Sequence, residues 1–349
     1  MTRRNFSAAL AASALGASSA SAAPKTAMGV GSASYYYRSG HDRRAGSTPL
    51  TETLSFVEYC RSLGAGGVQV SLADTSSGYT GKVRRTCEEA GMYFEASARL
   101  PRSDSDIDEF RDLIKAAENA GAKVIRTVLF PGRRYEEHDS METYREAKRR
   151  AWEMVTRAEP HLRKRRMKIA IENHKNLRTP DLLGMMNRIQ SEYVGITFDF
   201  GNNYVLMEDP VEMAQALGKY AYSSHIKDHV LQEYEDGLLL HDAVLGTGVI
   251  DLPKVIRLLR QGNPDIKFTL ETMSRDALKV PYLTERYWAT FARGELPGRD
   301  LAMTLRTVRD TQPKEPLPLF SKLSEEEKLR TEDENVRKGL AYARDRLEL

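Results

Sequence analysis

The feature that most restricts the fold of this chain is an alternation of short apolar runs with longer, charged, amphipathic stretches, repeated along most of its 349 residues. The apolar runs have the length of buried strands, and the stretches between them have helical spacing. Strand and helix alternation predicts the α/β class with a parallel sheet, and eight strands predict closure into a (β/α)8 barrel. The predicted strands are Met28–Tyr37, Gly66–Leu72, Tyr93–Leu100, Lys123–Phe130, Met167–Asn173, Gly195–Phe200, Tyr222–Ile226 and Ile266–Thr272.

An open, doubly wound sheet is the alternative to a closed barrel. Sheets of that kind that bind nucleotides carry a Gly-rich loop after the first strand. This chain has Tyr35-Tyr36-Tyr37 at that point instead, which favours the barrel. We place the barrel at residues 27–276 and expect these tyrosines to end its first strand.

The alternation stops near Asp276. Residues 277–349 contain no predicted strand, but they include a Pro-rich segment, Gln312–Pro318, and a charged helix that begins near Ser324. Ser324 and Glu327 have the spacing of a capping box, which marks the start of a helix. We therefore predict a helical C-terminal extension that packs either on the barrel or on a neighbouring subunit.

Residues 1–23 have the features of an export signal. The pair Arg3-Arg4 precedes a short apolar stretch, Ala8–Gly16, and Ala20-Ser21-Ala22 has the form of a signal-peptidase site. The arginine pair resembles a twin-arginine signal, with an ordinary secretory signal as the alternative. We expect an exported protein, periplasmic in a bacterium, and no other stretch of the sequence is apolar and long enough for a membrane span.

Composition excludes several classes of protein. With 52 Lys and Arg against 49 Asp and Glu, the formal charge is +3, which gives no indication of nucleic-acid binding. Cys60 and Cys87 are the two cysteines. Their number excludes a disulfide framework and a cysteine-based zinc site, and it leaves either one bridge or two free thiols.

Side chains that can bind a metal stand at the carboxyl ends of the last four predicted strands: Glu172, Asp199, His225 and Glu271. In a barrel these ends converge on one mouth. Three carboxylates and one imidazole suit a hard or borderline divalent cation, and without a cation the carboxylates would repel one another. We predict one bound divalent metal ion, Mn²⁺ in the first place, with Mg²⁺, Co²⁺ or Zn²⁺ as alternatives.

The same side chains suggest a proton-transfer reaction. A metal that polarises a carbonyl or hydroxyl would stabilise an enediolate as a neighbouring C–H proton leaves. Glu172 and Glu271 are the predicted acid and base. Lys227 shares a strand face with His225 and is the third catalytic candidate, with an ion pair to a ligand carboxylate as its alternative role.

Three more side chains near the strand ends are predicted to bind the substrate. His174 shares a face with Glu172, with a plain loop histidine as the alternative. Asn202 follows Asp199 and otherwise caps the loop. Asp228 follows Lys227, and its alternative is to orient a neighbouring residue.

Taken together, these motifs resemble the xylose isomerase-like TIM barrels, the sugar phosphate isomerase/epimerase superfamily, over about residues 27–276. The resemblance implies a metal-dependent isomerase or epimerase acting on a small carbohydrate, and a possible homo-oligomer. Related lyases and a DNA-repair nuclease belong to the same superfamily. The matching phrases are Ile171-Glu172-Asn173, Asp199-Phe200-Gly201-Asn202, His225-Ile226-Lys227-Asp228, Gly246-Thr247-Gly248-Val249-Ile250-Asp251 and Leu270-Glu271.

Departures from the patterns of this superfamily narrow the reaction. Ketohexose 3-epimerases carry a histidine where this chain has Asn202 and an arginine where it has Leu231. The nuclease branch needs a histidine-rich zinc site, and this chain has 7 histidines in all. Export disfavours a sugar phosphate, so elimination on a 3-keto-glycoside is an alternative reaction. A sugar-binding barrel without turnover and a scaffold role for the extension are the non-enzymatic alternatives.

Overall fold

Eight parallel strands close into a barrel in the computed structural model, which describes residues 23–349. Around the barrel the strands follow the order β1-β10-β7-β6-β5-β4-β3-β2. The predicted closed (β/α)8 barrel is confirmed, whereas the predicted leader lies outside the described residues. The barrel strands are β1 (Gly29–Gly31), β2 (Gly67–Val70), β3 (Tyr93–Ser97), β4 (Val124–Thr127), β5 (Lys168–Glu172), β6 (Val194–Asp199), β7 (Ala221–Ile226) and β10 (Lys267–Leu270).

The first strand is much shorter than predicted. It ends at Gly31 rather than at Tyr37, and a 3₁₀ turn over Ser32–Tyr35 follows it. Ser34 Oγ in that turn donates to the Leu270 carbonyl of the neighbouring strand at 3.1 Å. This bond takes the place of continued strand pairing, so the tyrosines after β1 do not form the end of a strand.

Helices cover the outside of the barrel, and several begin and end where the sequence indicates. Gly64 closes α2 in the left-handed conformation, with φ +77°. Only glycine adopts this conformation readily. The helices are α1 (Tyr36–Arg44), α2 (Thr53–Leu63), α3 (Ser77–Glu89), α4 (Ile107–Asn119), α5 (Arg134–Glu137), α6 (Met141–Arg165), α7 (Thr179–Ile189), α8 (Pro210–Leu217), α9 (Leu252–Gly262), α10 (Glu285–Trp288), α11 (Gly298–Thr311) and α12 (Glu325–Arg346).

A second, three-stranded sheet stands beyond the barrel. It consists of the hairpin β8 (Asp228–Tyr234) and β9 (Gly237–Ala243) with β11 (Leu278–Val280) paired antiparallel to β9. The expectation that residues 277–349 contain no strand is therefore wrong. A three-residue strand has too little alternation to be recognised, and β11 exists because the hairpin offers it an edge.

The C-terminal extension packs on its own barrel. The predicted capping box is present at the start of α12, where Ser324 and Glu327 bond reciprocally. Further along α12, Asp333 Oδ1 accepts a 2.9 Å hydrogen bond from Tyr35. At the end of the chain, Thr26 Oγ1 donates to the Leu349 carbonyl at 2.5 Å, so the two ends of the described chain meet.

Two smaller expectations are also decided by the fold. Cys60 and Cys87 are both buried free thiols, so no bridge joins them. Within residues 23–349, no helix combines the length and the hydrophobicity that crossing a bilayer requires.

Candidate metal centre

The four predicted metal ligands lie together at the carboxyl ends of β5, β6, β7 and β10. Strand register brings this about, because Asp199 pairs with His225 across β6 and β7, and His225 pairs with Thr269, two residues before Glu271. One candidate ligand atom from each of the four side chains lies within 4.8 Å of all the others. All four residues are buried, and none is more than 7% exposed.

His225 is oriented by side chains deeper in the barrel. Its Nε2 lies 2.7 Å from the amide oxygen of Gln69, and Gln69 Nε2 in turn donates to Glu95 at 2.9 Å. Since an amide oxygen only accepts, this contact assigns the ring proton to Nε2. The lone pair on Nδ1 then faces the three carboxylates, the arrangement in which histidine binds a metal.

The carboxylates are held by hydrogen bonds from neighbouring strand ends. Asp199 Oδ1 accepts from the backbone N–H groups of Gly201 at 3.0 Å and Asn202 at 2.9 Å. Asn202 Nδ2 also donates to Glu172 Oε1 at 3.0 Å. Asn202 thus lies in the centre, where it positions two candidate ligands.

Two cations, the partly exposed Arg126 and the buried Lys227, balance the carboxylates. Arg126 Nε donates to Glu172 Oε2 at 2.7 Å, and Lys227 Nζ lies 2.7 Å from Asp199 Oδ2 and 2.5 Å from Glu271 Oε2. Burial alone would raise the pKa of Glu172, but neighbouring positive charge, above all that of Arg126, outweighs it and lowers the pKa. Burial opposes the charged form of Lys227, yet Asp199 and Glu271 raise its pKa. Lys227 therefore forms ion pairs with both carboxylates, and its predicted catalytic role stays a prediction.

The donor set fits a divalent cation. His225 Nδ1 is buried without a hydrogen-bond partner. Oxygen atoms of Glu172, Asp199 and Glu271 lie 3.6, 3.6 and 3.5 Å from it. An unpartnered imidazole nitrogen surrounded by carboxylate oxygens is the chemistry that Mn²⁺, Mg²⁺, Co²⁺ or Zn²⁺ would satisfy. Glu172, Asp199, His225 and Glu271 are the residues that would hold it.

The other predicted site residues differ in their placement. The charges of Glu172 and Glu271 act on His174 and oppose the lowering of its pKa. Its Nδ1 has no hydrogen-bond partner. Burial lowers the pKa of His174 to about 4, so the ring is neutral at pH 7 and keeps a free nitrogen. It remains a candidate for substrate binding.

Asp228 is not part of the cluster. Its Oδ1 accepts from the backbone N–H groups of His229 and Ile250, and its Oδ2 accepts from those of Gly246 and Gly248. With four backbone donors, Asp228 holds the 246–250 loop, which corresponds to the alternative role of orienting its neighbours. Alternation explains why Asp228 lies outside the cluster, because it is one residue out of phase with Lys227. Its predicted contact with the substrate stays a prediction.

Sequence reasoning missed Gln69, Glu95 and Arg126. Each is a polar residue in a short and otherwise largely apolar strand: Gln69 in β2, Glu95 in β3 and Arg126 in β4. A polar side chain in a buried strand needs a partner, and that requirement was the available signal. The sequence offered no means of telling which partner it finds.

The fold and the cluster define a (β/α)8 barrel with a candidate divalent-metal centre at its mouth. Residues 57–290 match the family model described as the xylose isomerase-like TIM barrel. The chain belongs to that family.

Comparisons with individual proteins are more distant. A 114-residue segment is 25% identical to 3-oxo-isoapionate decarboxylase from Pectobacterium atrosepticum, and it spans 32% of this chain and 42% of that enzyme. An L-ribulose 3-epimerase structure superposes with a TM-score of 0.54 at 13% identity over 91% of this chain and 95% of that one. A magnesium-bound xylose isomerase-like TIM barrel protein from Mycobacterium smegmatis gives a TM-score of 0.53 at 15% identity over 81% and 99%. These structural likenesses concern the fold alone.

Proposed function

We propose that the chain is a divalent-metal-dependent carbohydrate isomerase or epimerase. The observation that carries this proposal is the buried cluster of three carboxylates around the free Nδ1 of His225. A sugar-processing role agrees with the family and with the names of the relatives. A divalent cation held there would supply stabilisation of negative charge on an oxygen of the substrate.

The chain's own residues would move the proton. Glu172 on β5 and Glu271 on β10 belong to strands separated in the barrel by β6 and β7. An ionised carboxylate takes the proton from the carbon next to the substrate carbonyl, and in its protonated form it can return that proton to the neighbouring carbon or to oxygen; the other carboxylate can do the same on the opposite face. Arg126 beside Glu172 and Lys227 beside Glu271 stabilise the ionised form of each carboxylate.

Elimination on a 3-keto-glycoside is the second candidate, because it begins with the same proton removal. Leu231, which stands where ketohexose 3-epimerases have arginine, is fully buried in the second sheet. That placement leaves no substrate contact of the 3-epimerase kind at this position. Lys227, 2.5 Å from Glu271, would supply the proton for the departing oxygen.

Metal content tests the proposal first. Elemental mass spectrometry of the purified protein should find close to one equivalent of Mn, Co, Mg or Zn, and Glu271→Gln should contain less. Glu285→Gln, on the short helix α10 outside the cluster, is the matched control and should keep the metal of the wild type. A wild type that stays metal-free after reconstitution would leave a sugar-binding barrel as the better account.

Proton exchange then separates the two reactions. Keto-sugars and 3-keto-glucosides are incubated with the metal-loaded protein in D₂O and followed by NMR. Deuterium next to the carbonyl without release of the aglycone supports isomerisation or epimerisation, and release of the aglycone supports elimination. Absence of both, with metal bound, would contradict the catalytic proposal.

We also propose that residues 1–23 direct export. Support comes from Arg3-Arg4 and from the Ala20-Ser21-Ala22 site. A fusion of residues 1–30 to a folded reporter should reach the periplasm of a bacterial host, and Arg3→Lys with Arg4→Lys should retain it in the cytoplasm. Unchanged export of the double variant would favour the ordinary secretory signal.

A further inference from the structure

Lys175, just beyond the end of β5, stands out among the charged residues near the centre. It is 6% exposed, and its backbone has φ +50°, in the left-handed region that residues other than glycine seldom adopt. Within residues 23–349 its ammonium group has neither a hydrogen bond nor a carboxylate within ion-pair distance, and its nitrogen keeps some contact with solvent. A charge with so little access to water is costly unless it is paired, so this lysine is suited to a partner that comes from outside the chain.

The other cations around the mouth, buried or partly buried, already have partners. Arg126 pairs with Glu172, and Lys227 pairs with Asp199 and Glu271. Arg275, after β10, donates through Nε at 3.1 Å and Nη2 at 3.0 Å to Asp242 of β9.

The balance of charge at the mouth gives an independent reason for an anionic partner. Four cationic side chains match four carboxylates: Arg126, Lys227, Arg275 and Lys175 against Glu172, Asp199, Glu271 and Asp242. A bound divalent cation would therefore leave a surplus of two positive charges. Glu95, one layer deeper, would reduce the surplus to one if ionised, and burial raises its pKa. The mouth therefore stays positive when the proposed metal is present, and an anion in the substrate would neutralise it.

The environment of Lys175 keeps it charged at neutral pH. Burial lowers its pKa, and Lys227 lowers it further, to about 8, while Asp199 acts in the opposite direction. An ammonium group that is largely protonated at pH 7, buried and unpaired is suited to bind a carboxylate of a ligand.

We propose that Lys175 binds a carboxylate group of the substrate, so that the enzyme acts on sugar acids in preference to neutral sugars. This inference rests on the proposed function for its metal and its chemistry. It adds the substrate class, which neither the four ligands nor the fold specifies.

Matched ligands test the inference. D-fructuronate and D-fructose share a ketone and differ at the terminal carbon, which is a carboxylate in the first and a hydroxymethyl group in the second. Isothermal titration calorimetry is performed on the protein as purified and after addition of Mn²⁺. The wild type should bind D-fructuronate about tenfold or more tightly than D-fructose. Lys175→Met should lose that preference, because it removes the ammonium group that pairs with the ligand carboxylate.

Two variants complete the design. Lys175→Gln keeps a polar head group and should lose the preference as Lys175→Met does. The same loss in two different replacements would point to the missing charge rather than to a folding defect in one variant. Lys168→Met removes an exposed lysine at the opposite end of the same strand and should leave binding unchanged. Equal affinity of the wild type for both ligands, or retention of the preference in both Lys175 variants, would overturn the inference.

The outcomes also distinguish this inference from the proposed function. Preferential carboxylate binding that depends on Lys175, without metal and without proton exchange, would uphold the anion site and refute the enzyme. Metal-dependent turnover of neutral keto-sugars, with no effect of the Lys175 variants on binding, would do the reverse.

Discussion

His225 shows how one side chain in this centre depends on two others below it. Gln69 fixes which ring nitrogen carries the proton, and Glu95 fixes Gln69 through hydrogen bonds of 2.9 Å to Gln69 and 2.6 Å to Ser223. All three partners are buried, so water cannot replace the contact if it is removed. The orientation of the histidine is therefore decided by residues that do not touch the candidate metal position.

Gln69→Leu should weaken metal binding about 10- to 100-fold, because the imidazole loses the acceptor that fixes its proton and its direction. A competition titration against a fluorescent chelator measures the affinity. Gln261→Leu, at an exposed position on α9, is the control and should bind metal like the wild type. Equal affinity of the Gln69 variant would show that the strand alone orients His225.

Arg126→Met should destabilise the metal-free protein by about 3 kcal/mol, because it leaves the buried Glu172 carboxylate without its cation. Added Mn²⁺ should then stabilise the variant more than it stabilises the wild type, since the metal takes over the balancing charge. Thermal unfolding with and without Mn²⁺ measures both effects. A variant with unchanged melting temperature in the absence of metal would contradict the role assigned to Arg126.

At the scale of elements, α12 and the start of α1 form one unit. Glu332 of α12 accepts hydrogen bonds of 2.8 Å from the backbone N–H groups of Tyr37 and Arg38, and so satisfies the first turn of α1. Asp333 accepts from the hydroxyl groups of Tyr35 and Tyr59. Tyr35, which follows the end of β1, is thus held by the extension and does not line the site.

Glu332 should make stability depend on pH. Burial raises its pKa to about 7, above the ordinary 4.5, despite the two backbone donors. The folded state therefore holds this proton more tightly than the unfolded state, and the associated stability is complete below pH 4.5 and is lost as pH rises through about 7.

Urea denaturation at pH 5 and pH 8 checks this expectation. The free energy of unfolding of the wild type should fall over that interval by up to ~3 kcal/mol more than that of Glu332→Gln, which has no titrating group at this position. Parallel changes in the two proteins would show that Glu332 titrates normally. Glu334→Gln, at an exposed position on the same helix, should behave as the wild type.

The second sheet is the element that sequence reasoning overlooked. The hairpin β8–β9 carries a signal, because Glu235-Asp236 forms a two-residue turn and Gly237 follows it as the first residue of β9. No strand was predicted between β7 and α9, because the hairpin lies outside the regular alternation of barrel strands and helices. β11 has no comparable signal, because its pairing with Leu238, Leu239 and Leu240 arises from residues far away in the sequence.

At the scale of the whole molecule, the extension is part of the barrel's core. Val336 and Leu340 of α12 are buried with the barrel residues in one hydrophobic cluster. Gly339 approaches Leu270 of β10 so closely that a β-carbon would lie 2.9 Å from Leu270 Cδ2. Deletion of residues 280–349 would therefore expose the barrel's apolar surface. Such a deletion would not test the scaffold role of the extension separately from the stability of the barrel.

Leu340→Ala should lower the free energy of unfolding by about 2–4 kcal/mol, since it removes a buried side chain from this contact. Met303→Ala, on α11, is the comparison, because Met303 is 41% exposed and its loss should cost less than about 0.5 kcal/mol. Chemical denaturation measures both. A Leu340 variant as stable as the Met303 variant would mean that α12 is dispensable to the barrel.

The sequence by itself determined the barrel and the four candidate ligands. Both follow from local order, since eight apolar runs alternate with helical stretches, and Glu172, Asp199, His225 and Glu271 each stand at the end of such a run. Parallel strands in a closed barrel bring their carboxyl ends to one mouth, so proximity follows from position along each strand.

Only the tertiary structure decided which polar side chains meet. Gln69 reaches His225 across 156 residues, and Tyr35 reaches Asp333 across 298. Local spacing carries no information on such pairs, because they depend on the order of strands around the barrel and on where the extension packs. The same reason explains why the unpaired state of Lys175 became visible only when the partners of every neighbouring charge were known.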